Sequence, residues 1–522
     1  MRFGLLPFLL AALPLLAWAA DECNGASPYD CAVTLVQQGR FPAAVGVLEK
    51  LTAESPRDLK ALNLLGIALS AEGDLEKANE RLRQALHVDP GFLPALKNLS
   101  INEFRLGHMD RAQAELEILL KSSPNDEVSH LYMGEIAYGA KQFGEAAAHY
   151  EKSRAQVYPV IMHYAECLLE TGRKKELSAV LDAIPQEDAE KQFQAGILLG
   201  RAGAYLESGT YFGRARKHAT DPYKAAYDQT LMLIRGGDYP GAIQLSNEFF
   251  NAGLRRAELY NLVSEAFLKT GQVEKAYSAL KSAIALEPAD EDNYGDLAGV
   301  CLDQANYELG MEVVDAGLKR LPDSYRLHLQ RGQILAQRGL TEESEKDLKI
   351  ASRLSPSQPA PYVTLALAWI QRGKTAEAVE LLRVRVKANP NDFILSYMLG
   401  IALNRSGAET DGEAMAAFEA AVRLNPRFSR ARAELGKMLL RGGDVAGAIG
   451  QLETAVKFDP EDATAAYQLG QAYRRMGESA RAQEMLTRVV KLRHQKDAID
   501  PNDEMRSLFR QVGAAGEHIT VK

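Results

Sequence analysis

The chain has 522 residues, of which 46% are apolar and 25% charged, a balance that builds a folded core and excludes an extended disordered polymer. Its formal net charge of −8 argues against a nucleic acid as the main partner, because a surface that neutralises phosphates carries a basic excess. A mild acidic excess serves solubility and does not identify a partner.

Met1-Arg2 gives a short positive start, and Phe3–Leu16 is an apolar run broken by Pro7 and Pro14. Ala17-Trp18-Ala19 then offers small residues at a cleavage site. Residues 1–19 are therefore expected to be a cleaved secretory signal peptide, and the mature chain is expected to be secreted or periplasmic. The apolar run is shorter than the ~20 residues a membrane span needs, and no integral span is expected after cleavage. Cys23 and Cys31 follow closely, and in an exported chain such a pair is expected to form a disulfide. Cys167 and Cys301 lie among apolar residues in helical stretches and are expected to be buried free thiols.

From about residue 25 to 495 one phrase recurs roughly every 34 residues. One copy runs Leu65, Gly66, Gly73, Ala78, Leu82, Ala85, Pro90, and another Leu435, Gly436, Gly443, Ala448, Leu452, Ala455, Pro460. The spacing predicts two amphipathic helices joined by a tight turn, with a positive-φ glycine in the turn (Gly39, Gly73, Gly107 and their successors). Alanine in the second helix and glycine in the first are expected to let the two helices approach closely. An intrahelical glycine costs roughly 1 kcal/mol, so its repetition implies a steric need. Proline after the second helix stops it and sets up the next copy. The copies between 158 and 256 are divergent: Pro159 and Pro185 interrupt them, and Leu177 and Ser208 replace the middle alanine. The twelfth copy has two extra residues in its turn, around Glu409–Gly412. Residues 502–513 predict one more helix, with Met505, Leu508, Phe509 and Val512 on one side, suited to covering an open hydrophobic end.

The phrase resembles the tetratricopeptide repeat (TPR) family, of an exported bacterial type. The large tryptophan usual early in that family's first helix is absent; Leu, Tyr or Ala fill the layer. The resemblance implies an all-α, right-handed TPR superhelical solenoid of about 14 repeats with a C-terminal capping helix. It implies an N-terminal array over 20–157, divergent repeats over 158–256, a second array over 257–495, and a cap and tail over 496–522.

No catalytic or metal pattern stands out, and neither enzyme activity nor a cofactor is expected. The nine histidines are scattered, without a His-Glu-x-x-His pair, and are expected at the surface or rim rather than on a metal. There is no phosphate loop and no Gly-x-Ser-x-Gly nucleophile elbow. A carboxylate clamp of the kind some TPR modules carry is approached at Lys97 and Asn98, but Ile101, Val128 and Tyr132 stand where its other polar residues would be.

The resemblance also implies which first-helix positions face the groove. They place Glu258, Glu265, Asp292, Asp296 and Asp303 on the inner wall, followed by Gln330, Gln333 and Tyr397. The partner-binding candidates are Arg326, Arg405, Arg430, Lys437, Arg441, Tyr467, Gln468, Arg474 and Arg475. The wall is expected to pass from acidic to basic and to receive a protein or extended peptide, acidic ones included. A scaffold for a sugar polymer, or an arm presenting substrates to a separate enzyme, are the alternatives.

Overall fold

A computed structural model describes residues 26–154 and 157–495. The signal segment, Cys23 and the expected terminal helix lie outside them. Helices make up 80% of the described residues, with no strands among them. The chain divides into two compact units, one ending at Asp238 and the other beginning at Tyr239.

The first unit contains α1 (Pro28–Gln37), α2 (Phe41–Glu54), α3 (Leu59–Glu72), α4 (Leu75–Val88), α5 (Leu93–Arg105), α6 (Met109–Ser122) and α7 (Glu127–Gly139). It continues through α8 (Phe143–Ser153), α9 (Tyr158–Glu170), α10 (Leu177–Leu181), α11 (Ala189–Ala202), α12 (Tyr205–His218) and α13 (Tyr223–Arg235). The second contains α14 (Tyr239–Asn251), α15 (Ala257–Lys269), α16 (Val273–Leu286), α17 (Glu291–Asp303), α18 (Tyr307–Arg320), α19 (Tyr325–Gln337), α20 (Thr341–Leu354) and α21 (Ala360–Gln371). It ends with α22 (Thr375–Ala388), α23 (Phe393–Ser406), α24 (Asp411–Leu424), α25 (Ser429–Gly442), α26 (Val445–Phe458), α27 (Ala463–Met476) and α28 (Ser479–Gln495). Odd-numbered helices are the first members of successive repeats and even-numbered ones the second, so repeat 4 is α7–α8 and repeat 10 is α19–α20.

Each boundary has a local cause. The turn glycines adopt positive φ, as at Gly73 (92°) and Gly443 (89°). In repeats 4 and 9 that turn position holds Lys141 and Ala305, which take φ of 60° and 56° without a glycine's freedom. Two residues after the proline, Asp58, Asp126, Asp290, Ser324, Asp392 and Asp462 cap the next first helix with a side-chain oxygen. The fifth repeat has the shortest second helix. Leu177 replaces the middle alanine there and is fully buried, and only five α-helical residues follow a 3₁₀ turn at Lys174–Glu176.

The alanines expected at helix contacts are buried: Ala44, Ala78, Ala112, Ala146 and Ala448 are wholly inaccessible. The glycines of the first helices answer to a different side chain. A Cβ on Gly66 would lie 2.6 Å from Leu82, on Gly134 2.7 Å from Tyr150, on Gly400 2.6 Å from Phe418, and on Gly436 2.6 Å from Leu452. The space is thus taken chiefly by the large residue four places after the alanine. Ser208 and Ser344, at the alanine position, stay buried by donating to the carbonyls of Gly196 and Gly332 at 2.7 Å.

Candidate functional site

The candidate surface is the row of first helices in each unit. Adjacent first helices lie side by side, and their polar side chains reach one another. In the first unit Asn98 donates to Asn63 at 2.9 Å, and Lys97 pairs with Asp126 at 2.7 Å. The two residues closest to a carboxylate clamp are thereby engaged inside the wall. Tyr138 donates to Glu166 at 2.6 Å, His163 meets Glu135 at 3.0 Å, and the Tyr138 and His163 rings stack at 4.1 Å. Tyr132, Glu135, Tyr138, His163 and Glu166 form an aromatic and acidic row on α7 and α9, which sequence reasoning passed over because no single repeat carries it.

In the second unit the expected acidic-to-basic step is a closed seam. Arg326 on α19 binds Asp292 at 2.9 Å and Asp296 at 2.6 Å, both on α17. Gln330 and Gln333, expected on the open wall, are 8% and 7% exposed; Gln330 donates to the Gly295 carbonyl at 2.7 Å. Tyr397 packs in the core between Phe418 and Phe428 and is 8% exposed. Glu258, Glu265 and Asp303 are exposed.

The remaining candidates fall on α23, α25 and α27. Arg441 donates to Asn404 at 2.6 Å and lies 3.6 Å from Asp411. Arg475 donates to the Leu440 carbonyl at 2.7 Å, near the end of α25, where carbonyls lack intrahelical partners. Lys437 lies 3.4 Å from Glu434, and Arg474 donates to Gln471 at 2.6 Å. Arg405 and Tyr467 are exposed; Arg430 and Gln468 are half-buried. Three helices thus carry six of the candidate cations, with Glu434 beside Lys437 and Asp411 beside Arg441. This stretch keeps a positive excess.

One recurrent device was not anticipated. Six residues after the proline, His130, Tyr294, His328, Tyr362 and Arg432 place a side-chain nitrogen or hydroxyl within 2.8–3.1 Å of that proline's carbonyl oxygen. In three of these repeats the same side chain also meets a residue 19 places later on the second helix. The pairs are His130 with His149, His328 with Asp347 and Arg432 with Gln451. Pro56 and Pro460 are met instead by Gln84 and Arg488 of the second helix. The histidines expected at the surface are here buried, His130 at 3% exposure and His328 at 6%. The offset was legible as a donor six places after proline, but leucine, serine or alanine occupies it in other copies.

Among the described residues no group of three or more His, Cys, Asp or Glu could hold a metal. No described helix is long and apolar enough to cross a membrane. Cys167 and Cys301 are free and buried, and burial pushes both thiols up to about 12. Cys31 is disulfide-bonded.

This architecture defines a helical-repeat interaction protein. Sequence profiles described as tetratricopeptide repeat match residues 29–91, 69–132, 267–334, 359–383 and 464–493, and one described as TPR repeat matches 436–477. The chain belongs to the tetratricopeptide repeat proteins. It is 24% identical over 359 residues to cellulose synthase operon protein C of Pseudomonas fluorescens, covering 62% of this chain and 28% of that protein. It is 26% identical to DnaJ homolog subfamily C member 3 of Gallus gallus over 37% of this chain and 43% of the relative. The chain therefore spans less than half the length of these two relatives. Among solved structures, yeast Tom70 aligns over 94% of both chains with a TM-score of 0.42 and 16% identity.

Proposed function

We propose that the protein is an exported, non-catalytic scaffold that holds a partner protein against its first-helix wall, with an acidic segment seated on α23, α25 and α27. The observation carrying this reading is the surplus of Arg and Lys on those helices, set beside a seam at Arg326 that is already neutralised. Arginine suits bidentate contact with carboxylates, and partly exposed charges give salt-sensitive association. Reversing Arg405, Arg430 and Arg474 to Glu in the full chain should abolish binding of a poly-glutamate peptide that the native chain binds at low salt. Helicity and melting temperature should stay nearly unchanged. Undiminished binding by the triple variant would remove the groove from the reading. Export is checked separately, by whether the protein recovered from its native host begins near Ala20.

A second reading, a wall for a sugar polymer, draws support from the aromatic and acidic row on α7 and α9. The partial similarity to a cellulose synthase operon protein points the same way. Retardation of the protein in a native gel cast with soluble β-glucan, lost on Tyr138→Ala, would favour it.

A further inference from the structure

His130 and His149 face each other through their Nδ1 atoms at 2.9 Å, and the Nε2 of His130 lies 2.9 Å from the Pro124 carbonyl oxygen. A carbonyl only accepts, so Nε2 of His130 carries its proton. In the neutral ring Nδ1 is then bare, and the hydrogen between the two rings belongs to His149. The first added proton goes to Nε2 of His149 and leaves both hydrogen bonds intact. A second proton has no place: it would put two N–H groups head to head at 2.9 Å.

We propose that repeat 4 carries a proton-operated latch, in which the His130–His149 pair ties α7, α8 and the Pro124 turn together while at most one ring is charged, and releases them when both are. The charged and titratable groups bearing on His149 are His130 from α7 and Glu145 and Lys152 from α8. Burial, then His130, holds the His149 ring below its ordinary value of 6.5, and Glu145 opposes them. The opened segment accepts a proton on each ring and the closed pair accepts only one, so protection from this pair is present above about pH 6.5 and is lost as pH falls below it.

The same two contacts elsewhere in the chain provide internal controls. In repeat 10 both nitrogens of His328 face acceptors, the Pro322 carbonyl at 2.9 Å and Asp347 at 2.7 Å, the latter also held by Arg331, so no two donors can be driven head to head there. In repeat 13 Arg432 and Gln451 keep fixed donor and acceptor roles. Acid should therefore loosen α7–α8 and spare α19–α20 and α25–α26. Because α7 also carries Tyr132, Glu135 and Tyr138, the latch governs how firmly that part of the wall is held.

Hydrogen exchange of the full chain at pH 7.5 and 5.5, corrected for the intrinsic pH dependence of exchange, tests this. Protection of α7–α8 relative to α19–α20 should fall at the lower pH by up to roughly tenfold, the most that one proton bound only by the opened segment supplies between the ordinary histidine value of about 6.5 and pH 5.5. His149→Asp, which copies repeat 10, and His149→Gln, which copies repeat 13, should each abolish the selective loss. Both leave the His163–Glu135 pair between α7 and α9 in place, so that pair is common to all three proteins. An equal response in α7–α8 and α19–α20 of the native chain, or an undiminished loss in both variants, would overturn the latch.

Discussion

Gly400 and Gly450 sit inside helices of the second unit and meet opposite surroundings. A Cβ at Gly400 would come within 2.6 Å of the Phe418 ring, which is fully buried, whereas at Gly450 nothing lies within 4 Å. Alanine is favoured over glycine in a helix by roughly 1 kcal/mol at either site. Overpacking a buried ring costs about 1–3 kcal/mol, and Phe418 is enclosed on all sides at 0% exposure. Gly400→Ala should therefore destabilise the protein by about 1 kcal/mol, while Gly450→Ala should stabilise it by about 0.5–1 kcal/mol. Thermal midpoints moving in opposite directions would bear this out; a rise for Gly400→Ala would mean that the steric reason for the first-helix glycine is wrong.

At the scale of elements, α4, α5 and α6 are joined by a buried carboxylate. Glu103, 1% exposed, accepts from Asn79 at 2.9 Å and from Arg83, meets His108 at 2.7 Å and has Arg111 at 3.9 Å. Glu115 on α6 has no such provision. Its buried Oε2 lacks a hydrogen-bond partner, and burial, with repulsion from Glu103 second, pushes its carboxyl up to about 7. A raised folded-state value means that Glu115 favours folding below its unfolded value of 4.5 and that this contribution is lost as pH rises through about 7. Glu115→Gln should accordingly be more stable than the native chain at pH 8.5, by up to about 2 kcal/mol after allowance for solvent screening, with most of that gain gone at pH 5. Melting curves at the two pH values decide it, and a gain of the same size at both would show that charge is not the cause.

For the whole molecule the governing fact is that a repeat touches its sequence neighbours, so stability is close to a sum of repeat and interface terms. A local perturbation should therefore stay local: Gly400→Ala in α23 should raise hydrogen exchange in α21–α25 and leave α1–α8 unchanged. Uniform loosening along the chain would instead indicate a single cooperative block.

The 34-residue phrase determined the class of fold by itself, because each of its positions answers to a constraint within one hairpin or to its neighbour. Gly73 needs positive φ, Ala78 needs a close contact, and Pro90 ends a helix; these are local demands that composition and spacing reveal. The groove was legible only as a set of positions. Whether a side chain at such a position is open to a partner depends on what stands one repeat away, and that is not periodic. Arg326 is neutralised because Asp292 and Asp296 happen to lie on α17, while Gln330 and Tyr397 turn inward where space allows. The histidines show the same division. His130 and His328 occupy equivalent places in the repeat, and only the residue folded against each, His149 or Asp347, decides whether a proton meets a donor or an acceptor.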